Sequence, residues 1–260
     1  MGVIDLFPIF LFCGFGLLFF AFVIGLFLLQ AGVMIGIPLT VIRRSRPILE
    51  MDSESYFMET VPKLFPWNAD AFDDFSSLLI SKFGTNIKET RVIGTLKSLY
   101  DPEATGWVAF DITRKWRTKS ILRLRTSEHD LEFSIQYAFL NIEAQLSAHQ
   151  QSIGLLQKRS GLTTIIGIGN REIGTYQVPY RLVFGLEPSY GEIRLHGRNV
   201  GALNHNLYNI RGNSWRPSKS SLKHAFQLKP FLISKDEQIW LLALLGVEIY
   251  LAVYRSLIPH

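Results

Sequence analysis

The chain has 260 residues, of which 27 are Lys or Arg and 22 are Asp or Glu, a net charge of +5, with 48% hydrophobic residues and a single cysteine. That length and apolar content exclude a disordered chain and leave room for one domain of ordinary size beside a further segment. The lone Cys13 excludes a disulfide framework and a cysteine-based zinc site.

Residues 6–42 are uncharged and almost wholly apolar, and Arg43, Arg44 and Arg46 close the run. At about 1.5 Å per helical residue the run reaches roughly 55 Å, against a hydrocarbon core of about 30 Å. One transmembrane helix is predicted, within a segment covering residues 1–43. A lipid-buried hairpin would need its turn backbone satisfied, and nothing in the run supplies that. A cleaved signal peptide fits poorly, because no basic residue precedes the run and Asp5 stands at its start. The arginines on the carboxyl-terminal side place the following domain in the cytoplasm and the amino terminus outside.

Small residues in the run recur at spacings of seven and four, at Gly14, Ala21, Gly25, Gly32 and Gly36. On a helix they form one narrow stripe, along which a neighbouring helix can approach closely. Packing against transmembrane helices of other subunits, or of a second copy, is expected there.

Residues 44–84 form a juxtamembrane connector and an amphipathic helix. Asn68 fits an N-cap, Phe72, Phe75, Leu79 and Phe83 fall on one face, and Gly84 fits the stop. Residues 85–260 carry the signals of a mainly β domain. Short alternating or β-branched runs lie at 92–100, 106–113, 120–125, 131–137, 152–157, 163–168, 173–178, 180–186, 192–195, 200–204 and 225–233. Tight turns are legible at Gly169-Asn170 and at His196-Gly197. Residues 140–149 fit either a helix or a loop. Such spacing points to a β-barrel or sandwich.

Ser234-Lys235-Asp236-Glu237 has the form of a capping box, and residues 239–254 then run apolar on every face except for Glu248. A helix without a polar face must be enclosed, by protein or by lipid. Its length is short for a span and a mid-helix carboxylate is costly in a bilayer, so burial within the barrel is expected, with Glu248 paired there.

The strand and turn Gly191-Glu192-Ile193-Arg194-Leu195-His196-Gly197-Arg198-Asn199-Val200-Gly201-Ala202-Leu203, the Phe226-Gln227-Leu228 strand and the helix from Asp236 to Tyr254 carry a resemblance over about residues 85–258. The pattern resembles the tubby-like fold of phospholipid scramblases and the plant LURP-one-related proteins. That resemblance implies a closed barrel around a central carboxyl-terminal helix, and a non-catalytic domain that meets membranes, lipids or membrane proteins. The polar stretch 204–223 and the amino-terminal anchor depart from the scramblase pattern, so lipid translocation is not carried over.

Catalytic signatures are absent: no His-x-x-x-His, no Cys-x-x-Cys, no Gly-x-Ser-x-Gly. Gly167-Ile168-Gly169 is a hairpin turn rather than a nucleotide loop, because a strand pattern follows it. Asp111, Glu128, Asp130 and Glu132 are expected on a solvated strand face. No cofactor and no metal are expected. The one concentrated surface signal is basic, from Arg114, Lys115, Arg117, Lys119, Arg123 and Arg125, with Trp116 among them. Together with Arg43, Arg44 and Arg46 this group is expected to face anionic lipid or an acidic partner. A non-enzymatic membrane protein that binds partners or lipid is the leading expectation. An accessory subunit of a membrane complex and a lipid-acting enzyme or scramblase-like protein are the alternatives, and nucleic acid is not an expected partner.

Overall fold

Alternation of apolar and polar residues organises the domain from Phe75 onward, and the strands it produces share one sheet. The computed structural model describes residues 47–68, 70–85, 89–101, 106–115, 119–138, 141–179, 190–211, 222–230 and 233–257. The apolar run with its small-residue stripe, and Arg43, Arg44 and Arg46, lie outside the described residues. So do Trp116, Arg117 and the whole of the expected 180–186 strand.

Among the described residues the strands are β1 (Phe75–Thr85), β2 (Glu89–Ser98), β3 (Val108–Lys115), β4 (Lys119–Arg125), β5 (Asp130–Ala138), β6 (Asn141–Ala148) and β7 (Gln151–Arg159). They continue with β8 (Leu162–Gly167), β9 (Glu172–Gln177), β10 (Tyr190–Leu195), β11 (Arg198–Asn204), β12 (Tyr208–Arg211) and β13 (Phe226–Leu228). From β1 to β11 each strand pairs antiparallel with the next, β13 lies outside β11, and β12 runs parallel to β1.

The sheet closes on itself. Ser76 of β1 bridges His224, the Ala225 amide donates to the Phe75 carbonyl at 2.6 Å, and the Ser77 amide donates to the Lys223 carbonyl at 2.7 Å. Residues 223–228 thus join β1 on one side and β11 on the other, which removes the open edges at that seam.

Helix α3 (Lys235–Leu257) fills the interior. Every residue from Trp240 to Val253 is buried, so protein covers all faces of a helix that by length and composition alone could cross a membrane. Its contacts come from around the wall. Arg114 of β3 lies over the Tyr254 ring, Ser120 of β4 meets the Tyr250 hydroxyl at 3.2 Å, and Tyr137 of β5 packs against Tyr254. On β7, Gly154 leaves space for Trp240, whose ring lies 2.9 Å from where a Cβ would stand. The capping box forms as expected, with the Glu237 amide donating to Ser234 Oγ and the Ser234 amide donating to Glu237 Oε2.

Two expectations are corrected. The helix starting near Asn68 is only the four-residue α2 (Ala71–Asp74), and Phe75–Thr85 is a strand rather than the rest of an amphipathic helix. The phenylalanine spacing fits a helical period, but Ser76 and Ser77 are also buried and their backbones pair with 223–225, so sheet closure overrides the period. Within the 140–149 stretch, residues 141–148 are neither helix nor loop but a strand: β6 alternates with Ile142, Ala144 and Leu146 inward.

The connector is also more ordered than a linker. Helix α1 (Ser53–Thr60) lies against β2 and β3, where Tyr56, Phe57 and Leu64 bury against Ile93 and Ala109. At Gly246, midway along α3, an added Cβ would stand 2.7 Å from the buried Phe133 ring. Glycine normally costs a helix about 1 kcal/mol relative to alanine, so it is retained for close approach to β5. Gly246→Leu should therefore lower stability by about 1–3 kcal/mol, read from the midpoint of urea unfolding, although leucine is the better helix former.

Candidate functional site

Two groups of charged side chains are built by the fold, one on the outer wall and one inside. On the outer wall, β4 alternates with Ser120, Leu122 and Leu124 inward, which turns Arg123 and Arg125 outward. Each finds carboxylates on the adjoining elements. Arg123 Nε donates to Glu132 of β5 at 2.7 Å. Arg125 holds Glu54 of α1 with two bonds of 2.8 and 2.9 Å, reaches Asp130 at 2.9 Å, and lies over the Phe57 ring. Together with Ser147 and Gln150 these five charges line a hollow of about 240 Å³. The hydrogen bonds from Arg125 hold the Glu54 carboxyl below its usual range.

The basic residues of the sequence are therefore not gathered into one cationic patch. Arg114 has the opposite parity and turns inward over Tyr254. Arg123 and Arg125 are neutralised across the strands, and Lys119 is exposed at the start of β4. Lys115 closes β3 in register with Lys119, while Trp116 and Arg117 lie outside the described residues.

Beside this wall Asp111 is placed outward as expected but is not solvated. It is 2% exposed, beneath the α1 segment, and Arg91 Nε and Nη2 donate to its two oxygens at 3.0 and 2.7 Å. Ser53 Oγ also donates to Asp111, and Arg91 Nη1 donates to the Ile48 and Met51 carbonyls. The ion pair thus pins residues 48–53 to the wall. Sequence alternation shows which way Asp111 points but not that a distant segment covers it. Arg91→Ala should free that segment, seen as several-fold faster tryptic cleavage after Lys63.

The inner group centres on Glu248, which is 1% exposed on α3. Lys158 Nζ of β7 donates to Oε1 at 2.8 Å, and His205 Nδ1 lies 2.9 Å from Oε2. Arg255 Nη2 stands 4.0 Å from the same carboxylate. Tyr176 of β9 faces the Lys158 ammonium, and the Thr163 hydroxyl of β8, in register with both, has no hydrogen-bond partner. Burial pushes the Glu248 carboxyl up, but the Lys158 charge and the His205 contact outweigh it and hold the group below the usual carboxylate range, at about 2. Burial pushes the Tyr176 hydroxyl up, and the Glu248 charge adds to that shift.

Sequence reasoning found Glu248 and its need for a partner but missed Lys158, His205 and Arg255. The signal for Lys158 was available, since it shares inward parity with Leu156 on β7. A lysine on a core face calls for a carboxylate, and α3 carries one in its middle. Among the described residues no group of three histidine, cysteine or acidic side chains is arranged to hold a metal. No family model matches the chain, and neither a curated protein nor a solved structure matches it.

Lys158→Met leaves an uncompensated buried carboxylate and should cost about 3–5 kcal/mol, whereas Lys158→Met with Glu248→Leu should recover most of it. The pH dependence follows from the depressed carboxyl. Its contribution is fully present above the unfolded value of about 4.3 and is lost as pH falls through about 2. The stability advantage of the natural chain over Glu248→Gln that comes from this carboxyl should therefore shrink below about pH 4. Urea midpoints measured at each pH check this.

Proposed function

We propose that the chain is a non-enzymatic single-pass membrane protein whose β domain docks onto membrane-protein partners. The observation that carries this reading is the occupancy of the sheet interior by α3 from Trp240 to Val253. A domain that has spent its concave interior on its own helix meets partners with its outer walls. One such wall, at α1, β4 and β5, interleaves Arg123 and Arg125 with Glu54, Asp130 and Glu132. Mixed charge suits a complementary protein surface. An anionic headgroup would first have to displace one of those carboxylates, which makes lipid the weaker occupant there.

The run 6–42 supplies the anchor in this reading, and Gly14, Ala21, Gly25, Gly32 and Gly36 supply a second contact, with helices of the partner. The arginines after the run put the domain on the cytoplasmic side. The enclosed helix also supports extending the proposal to a tubby-like fold. A stoichiometric subunit of a larger membrane complex is the specific form this role takes.

Purification of the full chain in mild detergent, followed by native mass measurement, tests the reading. Fixed-stoichiometry partners are expected, and Gly32→Leu with Gly36→Leu should reduce their recovery by about tenfold. A chain that runs alone, yet binds anionic vesicles in a salt-sensitive way that Arg123→Ser with Arg125→Ser abolishes, would overturn it in favour of lipid.

A further inference from the structure

The histidine beside Glu248 has two partners of opposite character, and that fixes its protonation. His205 follows β11, and its side chain is 23% exposed where the carboxyl-terminal part of α3 meets the wall. Its Nδ1 lies 2.9 Å from Glu248 Oε2, and its Nε2 lies 3.1 Å from Arg255 Nη2. An ionised carboxylate only accepts hydrogen bonds, so Nδ1 must carry a proton. A guanidinium only donates, so Nε2 must present its lone pair. Both bonds exist together in one state alone, the neutral ring protonated at Nδ1.

We propose that His205 is a proton-operated latch that ties the last turn of the core helix to the barrel wall and releases it when Nε2 takes up a proton. In the neutral ring Arg255 is held twice at this residue, through Nε2 and through the His205 carbonyl, to which Arg255 Nη1 donates at 3.3 Å. Protonation turns Nε2 into a donor facing a donor and places two positive charges in contact. The Nδ1 bond to Glu248 becomes charge-assisted and strengthens, so the ring stays in place while Arg255 leaves. Arg255 has somewhere to go, because its side chain is 43% exposed.

The other charged and titratable groups facing this cluster among the described residues are Glu248, Lys158 and Tyr176. Glu248, on α3 with Arg255, is the carboxylate of the cluster. Lys158 of β7 already neutralises that carboxylate at 2.8 Å and adds a further cation. Tyr176 of β9 keeps its proton and serves as the aromatic face over Lys158. Acidification therefore adds a third positive charge beside a single carboxylate, and Arg255, the most exposed of the three cations, is the one displaced. The carboxyl-terminal turn of α3 loses its tie to the wall, while Trp240 to Val253 stay enclosed.

The test uses the full chain in detergent with nitrogen-labelled histidine, titrated from about pH 8 to about pH 5, the window in which histidine changes charge. Two-bond nitrogen–proton spectra, with His205 assigned by loss of its signals in His205→Gln, should show the Nδ1–H form at the alkaline end. Amide hydrogen exchange of the peptide around Arg255, corrected for the chemical rate, should rise roughly two- to tenfold with the same midpoint as the ring, the scale of one hydrogen bond. In Arg255→Met that exchange should already be raised at the alkaline end and should no longer follow the ring. An Nε2–H ring or a doubly protonated ring at pH 8 overturns the proposal, and so does exchange near Arg255 that ignores the ring's titration or keeps its step in Arg255→Met.

Discussion

A helix with no polar face cannot stand in water, and the rest of the domain is organised by that constraint. Apolar side chains cover α3 all round from Trp240 to Val253, so enclosure has to come from every direction. A single sheet layer would cover one face only. Closure of the sheet through residues 223–228 turns one layer into a complete wall, and the inward parity of Leu122, Phe133, Ala144, Leu156 and Ile165 supplies the apolar lining. Gly154 on the wall and Gly246 on the helix each stand where an added Cβ would meet a side chain of the other. Among the described residues Glu248 is the acid midway along that helix, and Lys158, His205 and Arg255 surround it because an unpaired carboxylate there would cost more than the folded state can spare.

Charge on the outer wall obeys a different rule. Arg123 and Arg125 stand close in sequence to other cations, yet the cross-strand register sets them against Glu132 and Asp130, and α1 brings Glu54 from a remote part of the chain. A basic run in a strand is read by its neighbours before any ligand reads it. Arg114 shows the complementary effect, since one residue's change of parity sends its guanidinium inward over Tyr254 instead of outward.

Most strands were legible because period-two alternation is a local signal, and so was α3, whose Ser234–Glu237 capping box and continuous apolar run are also local. What failed was decided by contacts between distant segments. The phenylalanines from Phe72 to Phe83 fit a helix, but closure against Lys223 and Ala225 makes Phe75–Thr85 a strand. Short β12 carries almost no pattern, and it exists because Tyr208–Arg211 lies beside Leu78–Ser81. Burial of Asp111 depends on residues 48–53 folding back over it, which no spacing within β3 announces. For the inner site the acid was visible and its partners were not, because Lys158, His205 and Arg255 meet only after the sheet has curled round the helix.

The order of the segments along the chain sets the order in which they can be protected. All the described strands leave the ribosome before α3, and the residues that close β1 against β11 come just ahead of it. Throughout synthesis the lining of the wall therefore has nothing to pack on, and the edge of β1 not covered by β2 waits for Tyr208–Arg211 and His224. Such a chain completes its domain only once α3 has emerged, with a large apolar surface exposed in the meantime. A chain stopped anywhere before α3 leaves the apolar lining of the wall without the helix that covers it.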